Sequence, residues 1–578
     1  DAPDFELLLE MAKHGANLRH RERPTHGAAR NNVEPRHVEE ISRQLTKELA
    51  LGWLTTTPPV RDASNMRNAP IFAKDEPGKV RRLTDYSDRD ERGTMRGANA
   101  VVDKESLGEA PMDRPLQLAK AVLGLKEGTN RTPVLLVRDI SKAYRRIAVN
   151  PVDIPHLHTV WQGVHIWDTR LPFGHAAAAH HCCKLTSAIA RAFSKQMVGK
   201  AHALAYVDDF IVVADPRHAP EAERLLNRML ADIGMPITPE KAAASGTWST
   251  TAEWIGYTHD AAEETHALRP DKVPELQELV AAAIDSGVIP HTKLATLRGK
   301  LNHVANVHHP ARAHMQALHR ASRHAQARLV PLGEEAKEDL RWWTSALQWM
   351  PNEAKMSRSP RSNSLCIATD ASLTGIGGVL HETRGNSRRG LTPLAAWAAP
   401  FPQRAEPKQM MTLEAIAVLV AITEWGGRLR KQTVWLQLDN QALVFAMQRG
   451  RSRCPTTNAV LQDIFTLLIK FQLQVCPFHV KSEDNGQADD LSRLWEPCPA
   501  TSTLHPRGLT AASKQHLHTH DWLTKAPTKQ QQDIGYGSPA ARGSHQGRSC
   551  TQHHSSSSHS AAICLSNRQW AAPAFKQH

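Results

Sequence analysis

The sequence reads as a mixed α/β protein of several domains, and three observations lead there. Short apolar runs that close on Asp, such as VLLVRD and TVWLQLD, alternate with longer stretches of helical periodicity. Between Val134 and Gly234 a strand, a helix, a hairpin and a helix follow one another, an order that suits a ferredoxin-like sheet. A length of 578 residues exceeds a single core and points to two to four domains.

Composition narrows the class. Hydrophobic residues make up 41% and charged residues 22%, ordinary globular usage, and no apolar run approaches the roughly 18 residues a membrane span needs. A soluble protein is expected. The 8 cysteines include no CxxC pair, which fits neither a disulfide scaffold nor a zinc module and implies a reducing, intracellular compartment, cytoplasm or nucleus. Adjacent His180, His181, Cys182 and Cys183 diverge on a helix and do not converge on one ion. The net charge is +13 and the pI about 9.4, so a polyanionic partner is expected. Beyond Cys498, Lys and Arg outnumber Asp and Glu by eight to two, so the tail carries almost half of that excess. The chain opens on Asp1, without a signal-peptide pattern, and is read as a fragment of a longer product.

Taken in order, the first forty or so residues are polar and read as a loose lead-in to a helical run, Val38 to Leu51. PIFAKDEPGKVRRLTDYS reads as two strands turning at Pro77 and Gly78. A buried strand at Val134 to Val137 delivers Asp139, and AYVDDFIVVA reads as a hairpin with Asp208 and Asp209 at its tip. A helix from Ala219 to Ile233 follows, with Leu225, Leu226, Met229 and Ile233 along one face and Gly234 as its stop. The pattern from Asp271 to Ala325 is helical, and a polar stretch from Asn352 to Ser364 reads as a linker. Then come a strand ending on Asp370, an amphipathic helix with Glu414, a strand ending on Asp439 and a short helix opened by Asp489. Beyond Trp495 the composition turns to Ser, His, Gln, Gly and Pro, and disorder is expected.

These carboxylates suit phosphoryl transfer. Extending a 3′ end on a nucleotide triphosphate uses two divalent cations about 3.5 to 4 Å apart, and hard cations take oxygen ligands. A lone Asp-Asp in a turn is ordinary turn chemistry. The apolar flanks of YVDDF and a third Asp at a neighbouring strand end argue for a ligand set instead.

With these residues in view, the chain resembles reverse transcriptases. VRDISKAY, LPFG (Leu171 to Gly174), YVDDF, GMPITPEK (ending at Lys241) and EWIGY (Glu253 to Tyr257) occur in that family's order, preceded by GKVRRLTDY, over about Pro70 to Tyr257. The resemblance implies a fingers-palm-thumb fold with a ferredoxin-like palm. It implies Asp139, Asp208 and Asp209 as catalytic metal ligands, and Lys74, Arg81, Tyr144, Phe173 and Lys241 as nucleotide-binding. Tyr144 would be the ring that excludes a 2′-hydroxyl, and Trp254, Gly256 and Tyr257 the primer grip. After LPFG the chain departs from the family with HAAAAHHCCKL.

Further along, TDASLTGIGGVL, TLEAIAVLVAITEWG, LDNQALV and HVKSEDNGQADDLSR are similar to the ribonuclease H of DIRS-like retrotransposons, the tyrosine-recombinase type. Asp370, Glu414, Asp439 and Asp489 are then the implied metal and catalytic residues, with Asp490 a rival to Asp489 and His479 structural. KSED stands where the family has Pro-Gly. TLRGKLNHVANV, ARAHMQALHR and EEAKEDLRWW resemble the linker region of that group.

The implied layout is a partly helical lead-in over 1–57, fingers and palm over 58–262, and thumb and connecting helices over 263–351. A linker (352–364), a ribonuclease H-like mixed α/β domain (365–496) and a disordered low-complexity tail (497–578) follow. The implied function is RNA-directed DNA polymerase with ribonuclease H activity, using two Mg²⁺ per site, with Mn²⁺ as a substitute. Its partners would be an RNA template, a DNA primer, the RNA–DNA hybrid and deoxynucleoside triphosphates, with a separate recombinase or integrase. The competing readings are a decayed element product that only binds nucleic acid, and a capsid-like segment, for which zinc knuckles or basic repeats would be needed.

Overall fold

A computed structural model describes residues 4–21, 30–59, 68–89, 94–237, 246–269, 271–324, 329–356, 360, 364–383, 391–401, 405–496 and 517–519. The chain divides into two compact units, residues 1–270 with 352–357, and residues 271–351 with 358–578. Both are mixed α/β. Among the described residues no helix is long and apolar enough to cross a membrane.

The first unit centres on three antiparallel strands, β3 (Val134–Asp139), β5 (Ala201–Tyr206) and β6 (Asp209–Ala214), in the order β3-β6-β5. An antiparallel bridge from Leu135 to Ser249 adds a fourth position beside β3, which completes the ferredoxin-like order. Alternate residues of these strands feed two separate cores. Leu136, Ala203, Ala205, Phe210 and Val212 pack beneath α3 (Ala176–Gln196) and α4 (Ala219–Asp232). Leu135, Leu204, Ile211 and Val213 pack with Leu118 and Val122 of the helix Pro115–Thr129 and with Trp254. With both faces covered, β6 reads as an unbroken apolar run rather than an alternation. Each fully buried side chain in it contributes roughly 1.5–3 kcal/mol. On α4 the buried stripe is Ala222, Leu226 and Leu230, four residues apart, while Ile233 is 45% exposed and lies past the helix end. Of the expected face, Leu226 is buried and Leu225 and Met229 pack partly buried against the same core, so only Ile233 departs.

The hairpin of β1 (Ile71–Glu76) and β2 (Lys79–Thr84) turns at Pro77 and Gly78 and pairs Lys74 with Arg81. It packs beside α1 (Val38–Ala50), whose Ile41 and Leu45 are buried with Ile71. The lead-in is less loose than its polarity suggested. Ala16 and Leu18 are wholly buried in the core beneath the central strands, and the Leu18 amide donates to Asp153 Oδ2 at 2.7 Å. The inward residues Ala16, Leu18 and His20 alternate with Asn17 and Arg19, a strand-like period too short to stand out in a polar segment.

The hairpin of β7 (Thr251–Trp254) and β8 (Tyr257–Asp260) continues into β9 (Thr265–Leu268) and then β10 (Glu353–Lys355). β10 lies inside the stretch expected to be a linker: Lys355, Ala354 and Glu353 pair with Thr265, His266 and Ala267. Two charged residues around a single alanine carry no periodic apolar signal, and the backbone ladder places them.

In the second unit, β11 (Leu365–Ala371), β12 (Gly375–Thr383) and β13 (Leu391–Pro400) run antiparallel, and β14 (Thr433–Leu438) and β15 (Gln474–His479) add in parallel on the side of β11. The short strand β16 (Leu517–Thr519) adjoins β13. The rest of the tail from 497, where disorder was expected, lies outside the described residues. α9 (Met410–Trp425) is buried on nearly every side, including Glu414, so it is a core helix rather than the amphipathic one expected. α10 (Gln441–Arg449) and α11 (Pro455–Phe471) share the core of α9, and α12 (Gly486–Ser492) packs on the other face of the sheet, with Leu491 against Val379, Ala396 and Ala398. The helices expected as thumb and connection, α5 (Lys272–Ser286), α6 (His291–Val307), α7 (Gln316–His324) and α8 (Glu334–Trp349), belong to this unit. Gln462 of α11 donates to Ala313 O and to Asp339, and Trp342 Nε1 donates to Thr466 Oγ1 at 3.0 Å.

Candidate active sites

In the first unit β5 and β6 are joined by a two-residue turn, Val207 and Asp208, since Tyr206 already pairs with Asp209. Val207 sits at φ 56, a region costly for a β-branched residue, and such strain of about 1–3 kcal/mol collects at functional sites. Asp139 is the register partner of Asp209, and opposed residues of an antiparallel pair share a face. The Ile140 amide donates to Asp208 O at 3.1 Å, tying the turn to the end of β3. The three aspartates thus lie at one end of the central strands, each half-buried.

Tyr144 lies on α2 (Ala143–Arg146), just beyond Asp139, and its ring centroid is 4.8 Å from that of Phe173. Phe173 is 50% exposed. Lys74 and Arg81 are also exposed, on one face of the β1–β2 hairpin, and both lean toward Glu76, at 3.9 and 3.2 Å. Lys241 lies outside the described residues. Trp254 and Tyr257 are buried at 2% and 1%, and the turn between them has Ile255 at φ 46 and Gly256 at φ 84, the tight hairpin that needs two left-handed residues.

The departure after LPFG has a local explanation. His175 caps α3, its ring nitrogen accepting from the Ala177 amide, and its Nε2 meets His20 Nε2 at 3.2 Å. His181 Nε2 lies 2.7 Å from Asn17 O, and Cys182 is buried. The small and histidine residues of HAAAAHHCC therefore receive the segment from Ala16 to His20.

In the second unit Asp370 on β11, Glu414 on α9 and Asp439 at the end of β14 offer oxygens that all lie within 4.8 Å of one another. Glu414 Oε2 and Asp439 Oδ1 are buried and have no hydrogen-bond partner, a costly condition that a bound cation would relieve. Burial first, then the charges of Asp370 and Asp439, pushes Glu414 up to about 10. Burial likewise pushes Asp370 up to about 7, with Asp439 and Asp489 adding to it and the Ser492 hydroxyl opposing. A donor set of crowded carboxylates with raised proton affinity fits a hard divalent cation. Asp489 is close enough to act on both groups, and it accepts from Arg493 Nε at 2.7 Å.

Sequence reasoning missed the residues that hold these ligands. Ser492 Oγ donates to Asp370 Oδ2 at 2.6 Å, Ser482 Oγ to Asp439 Oδ2 at 2.8 Å, and Asn485 Nδ2 to Thr369 O at 3.0 Å. Asn485, Ser492 and Arg493 stand in the same closing phrase as Asp489, so the signal was present. His479 Nε2 lies 3.0 Å from Asp439 O and is exposed.

Residues 361–468 match the family model of the RNase H-like domain found in reverse transcriptase. The match includes Asp370, Glu414 and Asp439 and ends before Asp489, so the second unit carries an RNase H-like domain. No curated protein matches the chain. Similar solved structures are foamy viral protease-reverse transcriptases. One, the dRH form in complex with ds DNA, is 15% identical over 81% of this chain and 75% of that one, with a TM-score of 0.43. A second, with an RNA/DNA hybrid, is 14% identical over 85% and 59%, at 0.43. A third, with dsDNA, is 15% identical over 82% and 92%, at 0.41.

Proposed function

We propose that this chain is a retroelement enzyme that copies RNA into DNA and cleaves the RNA strand of the resulting hybrid, of the DIRS-like type. The observation that carries the reading is a set of carboxylates at the ends of central strands in each of two separate units. Mg²⁺, or Mn²⁺ in its place, would supply a positive charge to activate an attacking oxygen and to stabilise charge on the phosphate.

In the first unit Asp139, Asp208 and Asp209 would hold the cations, and Lys74 and Arg81 would meet the triphosphate of the incoming nucleotide. Lys241 belongs to the same set by its place in the sequence. Phe173 supports the nucleotide, Tyr144 fills the space a 2′-hydroxyl would need, and Trp254, Gly256 and Tyr257 steady the primer end. In the second unit Asp370, Glu414, Asp439 and Asp489 would hold the cations for hybrid cleavage, while Ser492 and Ser482 keep two of them oriented. Deoxynucleoside triphosphates, a primed RNA and the hybrid are the partners, and integration falls to a separate recombinase.

The test is primer extension by the purified chain on a primed RNA with deoxynucleoside triphosphates and Mg²⁺. The expected result is full-length DNA that disappears with EDTA. Binding of the primed RNA without incorporation would overturn the reading in favour of a product that only binds nucleic acid.

A further inference from the structure

Tyr144 is carried by a helix of a single turn. α2 has four residues, and Lys142 before it is left-handed, at φ 56. A helix this short does not stabilise itself, because forming the first turn costs more conformational freedom than its hydrogen bond returns. Its orientation has to come from anchors outside it.

The next residue supplies them. Arg145 is 3% exposed and ends in a closed ionic network. Its Nη1 donates to the Asp168 carboxylate and its Nη2 to Glu48 Oε2 at 2.5 Å. Glu48 also accepts from Arg82 Nη2, and Asp168 from the Tyr86 hydroxyl, each at 2.7 Å. Two guanidinium groups face two carboxylates, so the buried charge is balanced and its geometry is set by forked donors. The network joins α1 (Glu48), β2 (Arg82), α2 (Arg145) and β4 (Val164–Asp168).

Two consequences follow. Successive helical residues point about 100° apart, so fixing Arg145 also fixes the direction of Tyr144, whose ring lies against Phe173. Arg82 is the strand neighbour of Arg81, and strand neighbours face opposite sides. The side chain that locks β2 inward thereby presents Arg81 outward.

We propose that Arg145, through its paired bonds to Asp168 and Glu48, is a positioning residue that aims Tyr144 and so sets the choice between deoxyribo- and ribonucleotides. This rests on the reading of Tyr144 as the ring that meets the sugar. A merely structural Arg145 would alter stability or overall rate and leave sugar choice alone.

The experiment compares kcat/KM for a deoxynucleoside triphosphate and its ribonucleoside counterpart on primed RNA, using the full chain as wild type, Tyr144→Ala, Arg145→Lys, Glu48→Gln and Tyr144→Ala with Arg145→Lys. Arg145→Lys keeps the charge and loses the fork, and Glu48→Gln keeps the shape. Both are expected to lower discrimination by about tenfold, the scale of a sub-ångström misplacement, while deoxynucleotide incorporation falls less. In the double variant discrimination should be no lower than in Tyr144→Ala, because the two residues act through one ring. Where Arg145→Lys does not fold, Glu48→Gln carries the same test. If Tyr144→Ala loses discrimination while the folded network variants keep the wild-type ratio, the role of Arg145 is overturned and the reading of Tyr144 stands. If Tyr144→Ala itself keeps the ratio, the reading of Tyr144 fails and takes this inference with it.

Discussion

Replacing Gly377 with Ala tests whether α12 is held close to β12 in order to place its acidic residue. A Cβ at Gly377 would lie 2.5 Å from Leu491 Cβ, 2.8 Å from Ala488 O and 2.8 Å from Ser492 N. Two of these are backbone atoms, so no side-chain rotation relieves the contact. Restoring ordinary van der Waals distance moves α12 outward by roughly 1 Å, at a cost of about 1–3 kcal/mol for overpacking. Such a shift stretches the 2.6 Å bond from Ser492 to Asp370 beyond hydrogen-bond range and carries Asp489 away from Asp370 and Glu414. Misplacement on that scale costs about 100-fold in rate. The assay is single-turnover cleavage of an end-labelled RNA–DNA hybrid, with primer extension by the same preparation as the control. The neighbouring Gly378 provides the contrast, because a Cβ there meets Trp397 Cε2 at 2.6 Å on the opposite face. Gly378→Ala should lower stability while the folded fraction cleaves at close to the normal rate. Cleavage by folded Gly377→Ala within about twofold of wild type would refute the reasoning.

Asp489→Asn should stop hybrid cleavage and Asp490→Asn weaken it far less, since neighbouring helical positions point about 100° apart; the reverse order would move the fourth ligand by one residue. The buried pair His259 and His266, whose Nδ1 atoms lie 2.8 Å apart, should make the first unit sensitive to acid. Burial, then the His266 charge, lowers His259 to about 3, and burial lowers His266 to about 4. Unfolded histidine takes its proton near pH 6.5, so the unfolded chain binds more protons below that value. Stability is full above pH 6.5 and declines as pH falls toward 4, by up to roughly 1.4 kcal/mol per pH unit for each histidine. Urea unfolding from pH 7 to 5 should show this slope, shallower in the His259→Gln, His266→Gln double variant, and an equal slope in both would remove the pair as its cause. Truncation after Glu496 should leave hybrid cleavage and primer extension intact, and loss of extension at low salt would show that the tail does more than attract nucleic acid.

How much could be read from the sequence depended on whether the physical signal was local. Asp139, Asp208 and Asp209 stood out because each lies at or one residue past the end of an apolar run, and the runs are continuous because both faces of β3 and β6 are covered. Asp370, Glu414 and Asp439 followed from strand ends and a helix, although the burial of α9 on all sides hid its difference from an amphipathic helix. Ala16 and Leu18 were missed because two apolar residues in a polar segment make no periodic signal. β10 was missed because its place is set by backbone pairing with β9, which side-chain patterning does not report. The network of Glu48, Arg82, Tyr86, Arg145 and Asp168 was invisible for a different reason: its members are ordinary charged or aromatic residues until the fold brings together positions as far apart as 48 and 168. The glycines of TGIGGVL were legible as a phrase, and only the structure shows that Gly375 leaves room for Trp495, Gly377 for α12 and Gly378 for Trp397.

If two independent carboxylate sites in one chain perform two reactions, reciprocal substitution will separate them. Asp208→Asn with Asp209→Asn removes the charge that would hold cations in the first unit, and Asp439→Asn does so in the second. Each variant is assayed for primer extension on RNA and for cleavage of a preformed hybrid. The first is expected to lose extension by orders of magnitude and keep cleavage, and the second to lose cleavage and keep extension. Loss of both activities in either folded variant, or of neither, would contradict that independence.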